Sequence, residues 1–515
     1  MHSLSFYQRF GFGIFISFSA SLMGYWWIQD PVDMSQDRYI LWLAPPTSMV
    51  SWQRFVQALQ NEVKGFAGNL GELDLSQAVP DNQGLVPEVV LKVGDKTLRW
   101  RWAMETGAMG DLLAGEIGES GRILAVIGGS TTESAMRLAK AMRIYSEGLA
   151  EDKRPLLLLQ TATADTVQSG MVNLDGGKVA QTEDLPSHEQ LMKVYPGRTF
   201  RFGFNNRRIA EVVTRYVRDL YQPIAPSSPA MVVWEDDPYG VDVLDSFRSA
   251  FESQENWKGQ IWGNPIRIRS GVAAMENPNR HELKAANDFA SELGESRKLG
   301  RPWIVMGGQA DPCRRFLGAL ARRLPTNNPK DLPLVAFGDT PGFNRVFRDQ
   351  RLLWPLEDLP FELVFFSHQD PACFLAGFKP NPSVENKWQS NSTDDLLLWG
   401  NVAGAILATW GPLPEGPKIY SENLRKGFSL LKVKQDLSEG EGVGKYSLQF
   451  KAGGNIEEDG WPFFDAMGDR MPGTGEHLIH LEPTKTGATI RVISVGKGDN
   501  FSRKQRLLRM EAGRP

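Results

Sequence analysis

Short, wholly or mostly apolar runs recur along the chain, and amphipathic stretches of helical period fall between them. Residues 38–44 (RYILWLA), 123–127 (ILAVI), 156–160 (LLLLQ), 231–234 (MVVW), 303–306 (WIVM), 334–337 (LVAF) and 362–366 (ELVFF) read as strands. Unbroken apolarity of this kind suits strands of a parallel sheet that are covered on both faces. Helices are expected around 52–63, from Met136 onward, and over 205–220, 241–251, 281–293 and 313–323. Residues 89–93 and 97–102 flank Gly94-Asp95 and predict a hairpin, and a second hairpin, 477–482 with 489–495, is expected around Thr486-Gly487. Residues 67–88 and the polar stretch around Asn277-Pro278-Asn279 read as loops. Residues 394–410 are an apolar stretch interrupted by Gly400, Gly404 and then Pro412, so a packed core helix is expected rather than a membrane span. Strands and helices alternate in two successive series, one before and one after residue 200. That predicts two doubly wound parallel-sheet α/β lobes.

The N-terminus departs from this pattern. Residues 10–28 (FGFGIFISFSASLMGYWWI) carry no charge, with Arg9 before them and Asp30, Asp33 and Asp37 after. As a helix they would be about 28 Å long, close to a bilayer core. The charge asymmetry would keep the N-terminus inside and send the remainder out, with Tyr25, Trp26 and Trp27 at the outer interface. An uncleaved anchor is favoured over a cleavable signal peptide, for which Ser19 and Ser21 would supply small residues. Either reading makes the bulk of the protein extracytoplasmic, in the periplasm or cell envelope.

Composition narrows the function classes. At 515 residues the chain exceeds one ordinary core, and 41% hydrophobic with 23% charged residues is a globular balance. A net charge of −4 without a basic stripe gives no case for nucleic acid. The two cysteines, Cys313 and Cys373, lack metal-ligand spacing, and two free buried thiols are favoured over one bridge. His477-x-x-His480 falls in an expected strand, where side chains three apart face opposite ways, so a metal pair is not expected there. No nucleophile elbow, zinc-protease helix or paired base for a cysteine is present, so no enzyme, metal or cofactor is expected. Glu235-Asp236-Asp237 reads as a solvated turn, and Asn391-Ser392-Thr393 fits a glycosylation sequon.

The stretch that could bind something is Gly128-Gly129-Ser130-Thr131-Thr132-Glu133, where a strand ends and a helix begins. Such a turn offers unpaired N–H groups at the positive end of a helix. It matches neither the dinucleotide fingerprint nor the phosphate-cradling loop, and Glu133 would repel a phosphate. A small carboxylate fits better; helix capping by Ser130 or Thr131 is the competing reading.

Five segments in order resemble the type I periplasmic binding proteins of the branched-chain amino acid (leucine/isoleucine/valine) kind. They are ILAVIGGSTTESAMRLA, LLLLQTATAD, YPGRTFRFGFNNRRIAEVVTRYV, MVVWEDDPYGVDVLDSFRSAF, and WPFFDAMGDR with the closing hairpin. The first resembles the family's strand and carboxylate-gripping turn. The fourth keeps the Tyr239-Gly240 pair, and the fifth resembles the closing F-D-x-x-G-D-R stretch. The resemblance implies two lobes joined by a three-strand hinge, crossing near 200–204, 366–370 and Phe450. After the membrane anchor or signal segment and linker read above at 1–37, which is unusual for a free transport protein of this family, it implies lobe 1 at 38–200 and 370–450, lobe 2 at 201–369 and 451–495, and a tail at 496–515.

It further implies that Ser130, Thr131 and Thr132 hold a ligand carboxylate, with Thr163 adding a hydroxyl. Tyr239 would close over the ligand, Asp339 would pair its ammonium, and Gln309 occupies a neighbouring strand-end loop. The expected ligand is an amino acid or similar small carboxylate. The expected role is solute binding for an ABC-type uptake system with a membrane permease, or ligand sensing in a receptor. The family's GGxxG after the first helix is missing from 60–75, its acidic residue after the second strand is represented only by Glu105, and the 170–190 insert is long. A scaffold or regulator that contacts another envelope protein and binds no small ligand is the alternative.

Overall fold

In the computed structural model the apolar runs become the central strands of two separate sheets. The structure describes residues 37–44, 48–65, 71–79, 86–104, 121–168, 188–220, 229–234, 237–253, 265–268, 280–296, 303–324, 329–338, 359–368, 395–410, 421–435, 448–452, 461–484, 487–495 and 506–511. The expected membrane segment at 10–28, Cys373, Asp339, Glu105, the sequon and most of the 170–190 insert lie outside them. No helix among the described residues is long and apolar enough to cross a membrane.

The first lobe opens with β1 (Asp37–Ala44) and α1 (Met49–Gly65), then β2 (Glu72–Asp74), β3 (Glu88–Val93) and β4 (Lys96–Met104). It continues through β5 (Ile123–Gly128), α2 (Thr132–Glu147), β6 (Leu156–Leu159), a two-stranded ribbon of β7 (Thr166–Gln168) and β8 (His188–Gln190), α3 (Leu191–Val194) and β9 (Thr199–Arg201). The sheet order is β2-β3-β4-β1-β5-β6-β9. Strands β4, β1, β5, β6 and β9 run parallel, whereas β2, β3 and β4 are antiparallel neighbours. Gly94-Asp95 makes the expected turn between β3 and β4. The 67–88 segment contains β2, an edge strand too short and polar for a periodicity signal.

Alternation along β1 explains its unbroken apolarity. Ile40 and Trp42 enter one core with Trp52 and Phe55 of α1, while Leu41 and Leu43 enter another with Met136 and Leu138 of α2. Trp42, Trp52, Trp102 and Trp399 pack ring against ring at 5.4–6.1 Å. The Trp52 indole donates to the Ala78 carbonyl and the Trp102 indole to that of Ala44, so these buried polar edges are satisfied.

The second lobe runs through α4 (Asn206–Leu220), β10 (Pro229–Trp234), α5 (Pro238–Glu252), β11 (Ile266–Ile268), α6 (Arg280–Ser296), β12 (Trp303–Gly307), α7 (Ala310–Ala321), β13 (Leu334–Phe337) and β14 (Leu363–Ser367). The chain then returns to the first lobe, where α8 (Asp395–Trp410) buries its apolar length against α1. Helix α9 (Ser421–Ser429) and a small antiparallel sheet of β15 (Leu431–Gln435), β16 (Leu448–Ala452) and β17 (Trp461–Pro462) complete that lobe. Last come β18 (His477–Thr484), β19 (Gly487–Ser494) and β20 (Arg506–Glu511), which extend the second sheet to the order β11-β10-β12-β13-β14-β18-β19-β20.

Three passages therefore join the lobes. In the first, Phe202 plugs the first-lobe core and Phe204 the second, with Gly203 between them against the His368 ring. The second leaves β14 at His368, whose Nδ1 accepts the Phe204 amide at 2.9 Å. The third was expected near Phe450, but Phe450 pairs with Val433, and Phe463 and Phe464 still lie in the first-lobe core. The passage falls instead between Phe464 and β18. There Arg470 donates to the Phe202 carbonyl, and the Arg201 amide to the Gly468 carbonyl. The expected tail at 496–515 contains β20, an edge strand paired along β19.

Candidate ligand cleft

Strand β5 ends at Gly128, and Gly129 follows with φ +68°, a left-handed turn that favours glycine. A Cβ there would lie 2.7 Å from the Ala135 Cα. The turn delivers Thr131 as N-cap of α2, its Oγ1 accepting the Ser134 amide at 3.2 Å. The capping reading is thus realised, by Thr131. The cap engages one amide only; those of Thr132 and Glu133, earlier in the first turn, have no acceptor within the helix. Ser130 and Thr131 are exposed, Thr132 is buried, and Glu133 is exposed. Thr161, after β6, donates its hydroxyl to the Ser130 carbonyl at 3.0 Å, tying the two strand-end turns together.

In the second lobe the corresponding turns follow the carboxyl ends of β10, β12 and β13. Asp237 caps α5, its Oδ1 accepting the Tyr239 amide at 3.1 Å, and Gln309 Nε2 reaches its Oδ2 at 3.4 Å. Gly240 allows α5 to press on β12, because a Cβ there would stand 2.4 Å from the Gly307 carbonyl oxygen. Tyr239 is buried among the core residues of the second lobe, with its hydroxyl against Gly338 at the end of β13. Gln309 is exposed at the start of α7. Residue 339 follows Gly338 directly and lies outside the described residues.

The structure thus gathers Ser130 and Thr131 with Thr161 at one strand-end turn and Gln309 with Asp237 at another. Thr132 and Tyr239 are buried in their own lobes, and Tyr239 is not free to close over a ligand as expected. Thr163 belongs to neither group. It is buried, and its carbonyl accepts the Asn206 amide at 2.8 Å and Arg201 Nη1 at 3.0 Å, so it sits in the layer of the crossings.

That layer holds the polar residues that sequence reading passed over. The fully buried Arg201 lies 3.2 Å from Asp165 and 2.9 Å from Asp469. Asp242 of α5 is 3% exposed and accepts four hydrogen bonds: the Asp165 and Thr166 amides at 3.1 and 2.9 Å, the Thr166 hydroxyl at 2.9 Å, and Asn206 Nδ2 at 2.8 Å. Burial pushes the Asp242 carboxyl above the usual range, against the pull of those donors. It does the same to Asp165 and Asp469, opposed mainly by the Arg201 charge. Arg208 and Glu476 form a further buried pair at 2.6 Å. A signal was present for Asp242: in α5 it shares a face with Tyr239, Val243 and Ser246, a charge set on the buried stripe. Among the described residues no group of three or more His, Cys, Asp or Glu is placed to hold a metal ion.

No family model matches the chain, and no curated protein matches it. Among solved structures it is similar to an ABC transporter substrate-binding protein from Desulfitobacterium hafniense in complex with Leu, at 13% identity, 87% coverage of this chain, 98% of that one and a TM-score of 0.47. It is similar to a solute-binding protein of an ABC transporter from R. palustris in complex with benzoate, at 11% identity, 91% and 97% coverage and a TM-score of 0.49. A third is a branched-chain amino acid ABC transporter protein from Thermus thermophilus with bound valine, at 14% identity, 92% and 96% coverage and a TM-score of 0.42.

Proposed function

We propose that the chain is an extracytoplasmic, two-lobed solute-binding protein that takes a small carboxylate-bearing solute, an amino acid foremost, between its lobes. One observation carries this reading. The turn at Ser130-Thr131 holds backbone and hydroxyl donors at the start of α2, with Thr132 buried behind it, and the strand ends of the second lobe carry Asp237, Gln309 and, in sequence, Asp339. A zwitterion requires donors at one end and an acid at the other, since either charge buried unpaired would be costly. Closure of the lobes on the solute would be read by a permease of an ABC-type uptake system or by a receptor, with the 10–28 segment holding the protein at the membrane. Thermal-shift measurements with a panel of amino acids and small carboxylates, benzoate included, test it. A true ligand at a hundred times its Kd adds about 2.7 kcal/mol of stability. Thr132→Ala combined with Asp339→Ala should abolish that shift; a shift that survives both refutes the site, and no shift with any compound refutes the function.

A second reading, a scaffold or regulator that contacts another envelope protein without a small ligand, is favoured by the direct bonding between the lobes at Asp242, which requires no bridging solute.

A further inference from the structure

In a two-lobed binding protein the angle between lobes is the output, so any side chain bonded across the gap helps to set it. Asp242 is such a side chain. It projects from α5 of the second lobe, and three of its four bonds come from residues 165–166, which follow β6 of the first-lobe sheet. Asn206, from α4 of its own lobe, supplies the fourth and fixes the carboxylate's orientation. Each oxygen accepts two donors, so both are saturated and neither can be replaced by an amide NH2 without setting donor against donor. The contact also extends beyond this point. The β7–β8 ribbon that begins at Thr166 packs on α5 and on α2, and α2 and α5 touch each other. The groups facing Asp242 include the Asp165 carboxylate, and Arg201 and Arg207 hold that carboxylate from the other side.

We propose that Asp242 is an interlobe latch: it clasps the backbone at Asp165-Thr166 and holds the two lobes at the angle seen in this structure with no ligand present. The residue thereby sets the balance between open and closed forms, and a ligand's contribution to closure is added to one the chain already makes. The latch does not depend on the carboxylate-binding reading, because it operates in the ligand-free protein.

The test uses the full-length chain in detergent without added solute. Spin labels are placed through Ile144→Cys on α2 and Leu283→Cys on α6, both exposed positions in different lobes, with Cys373→Ser and the buried Cys313 left in place. The expected wild-type result is one distance population. Asp242→Asn should add a second, longer population and speed amide exchange at Asp165 and Thr166 about tenfold or more, the effect of losing hydrogen bonds to a buried charge. Should Asp242→Asn fail to fold, Thr166→Val removes one of the four bonds without disturbing the carboxylate, and the longer population should still emerge. If amide exchange rises but the distance distribution stays that of the wild type in both variants, Asp242 is a fixed pivot and the latch is refuted. An unchanged exchange rate would refute it as well.

Discussion

At the strand-end turns Ser130, Thr131 and Gln309 are exposed, Thr161 bonds to Ser130 and Gln309 to Asp237, and Thr131 caps α2 through the Ser134 amide. At the crossings Arg201, Asp242 and Glu476 are buried, and each joins segments far apart in the chain. The difference separates two tasks. Exposed donors held by a rigid turn stay ready for a ligand, while buried charges with fixed partners fix geometry at a cost that only complete pairing offsets. Substitutions at the crossings should therefore cost stability first, and those at the rims should cost binding first.

The largest effect is expected at Arg201. Arg201→Ala would take from the half-buried Asp165 and Asp469 their buried cation, leaving only the exposed Arg207 beside Asp165, and should destabilise the fold by about 2–4 kcal/mol. Urea unfolding with an unchanged m-value checks this; a loss below about 1 kcal/mol, the range of surface pairs, would mean that the crossings are not the charged framework described here. Gly129→Ala comes next, at roughly 2–3 kcal/mol, because it adds left-handed strain to a Cβ pressed against Ala135. It is the one rim position expected to behave like the crossings, and a neutral result would mean the turn is free to rearrange.

Glu62 sharpens the comparison from outside both regions. Unlike the carboxylates at the crossings, it has burial as the cause of its shift, with no opposing cation among the described residues, and its carboxyl is pushed up to about 7 beside Gly400 of α8. The folded protein thus retains a proton that the unfolded chain has lost between about pH 4.5 and 7, so stability falls as pH rises through that window. Glu62→Gln should stabilise the protein by roughly 1–2 kcal/mol at pH 8, allowing for partial exposure, and change little at pH 4. Equal effects at both pH values would assign the gain to packing instead of charge.

The same contrast explains what could be read in advance. The parallel strands, the two lobes and the α8 core helix were legible because each is a run of apolar residues buried on both faces or all round. The first passage was legible through Phe202 and Phe204. The third was misplaced because β15 to β17 are short strands packed on the first lobe, and nothing in the local pattern says which core Phe463 and Phe464 enter. β20 was missed for a related reason, since an edge strand alternating with arginines reads as a charged tail. The rim turn stood out through local chemistry. The pairing of Arg201, Asp242 and Asp469 did not, because their partners lie between 36 and 268 residues away and only the fold brings them together; for Asp242 the α5 pattern flagged a buried charge but not what it bonds to.

The smallest stability effect should be the most informative about function. Thr131 caps α2, and Thr131→Ala should cost about 1 kcal/mol through that bond alone. Asp is an equally good N-cap, so Thr131→Asp should leave the melting point within a few tenths of a kcal/mol of wild type or raise it slightly through the helix dipole. It would also set a negative charge where a ligand carboxylate is proposed to sit, and like charges at such distance repel strongly in a closed cleft. The two roles then separate in one variant. If Thr131→Asp keeps full stability and loses the carboxylate ligand that the wild type binds, the turn grips an anion as well as capping a helix. If it keeps both, the ligand carboxylate is held elsewhere, and the rim turn serves α2 alone.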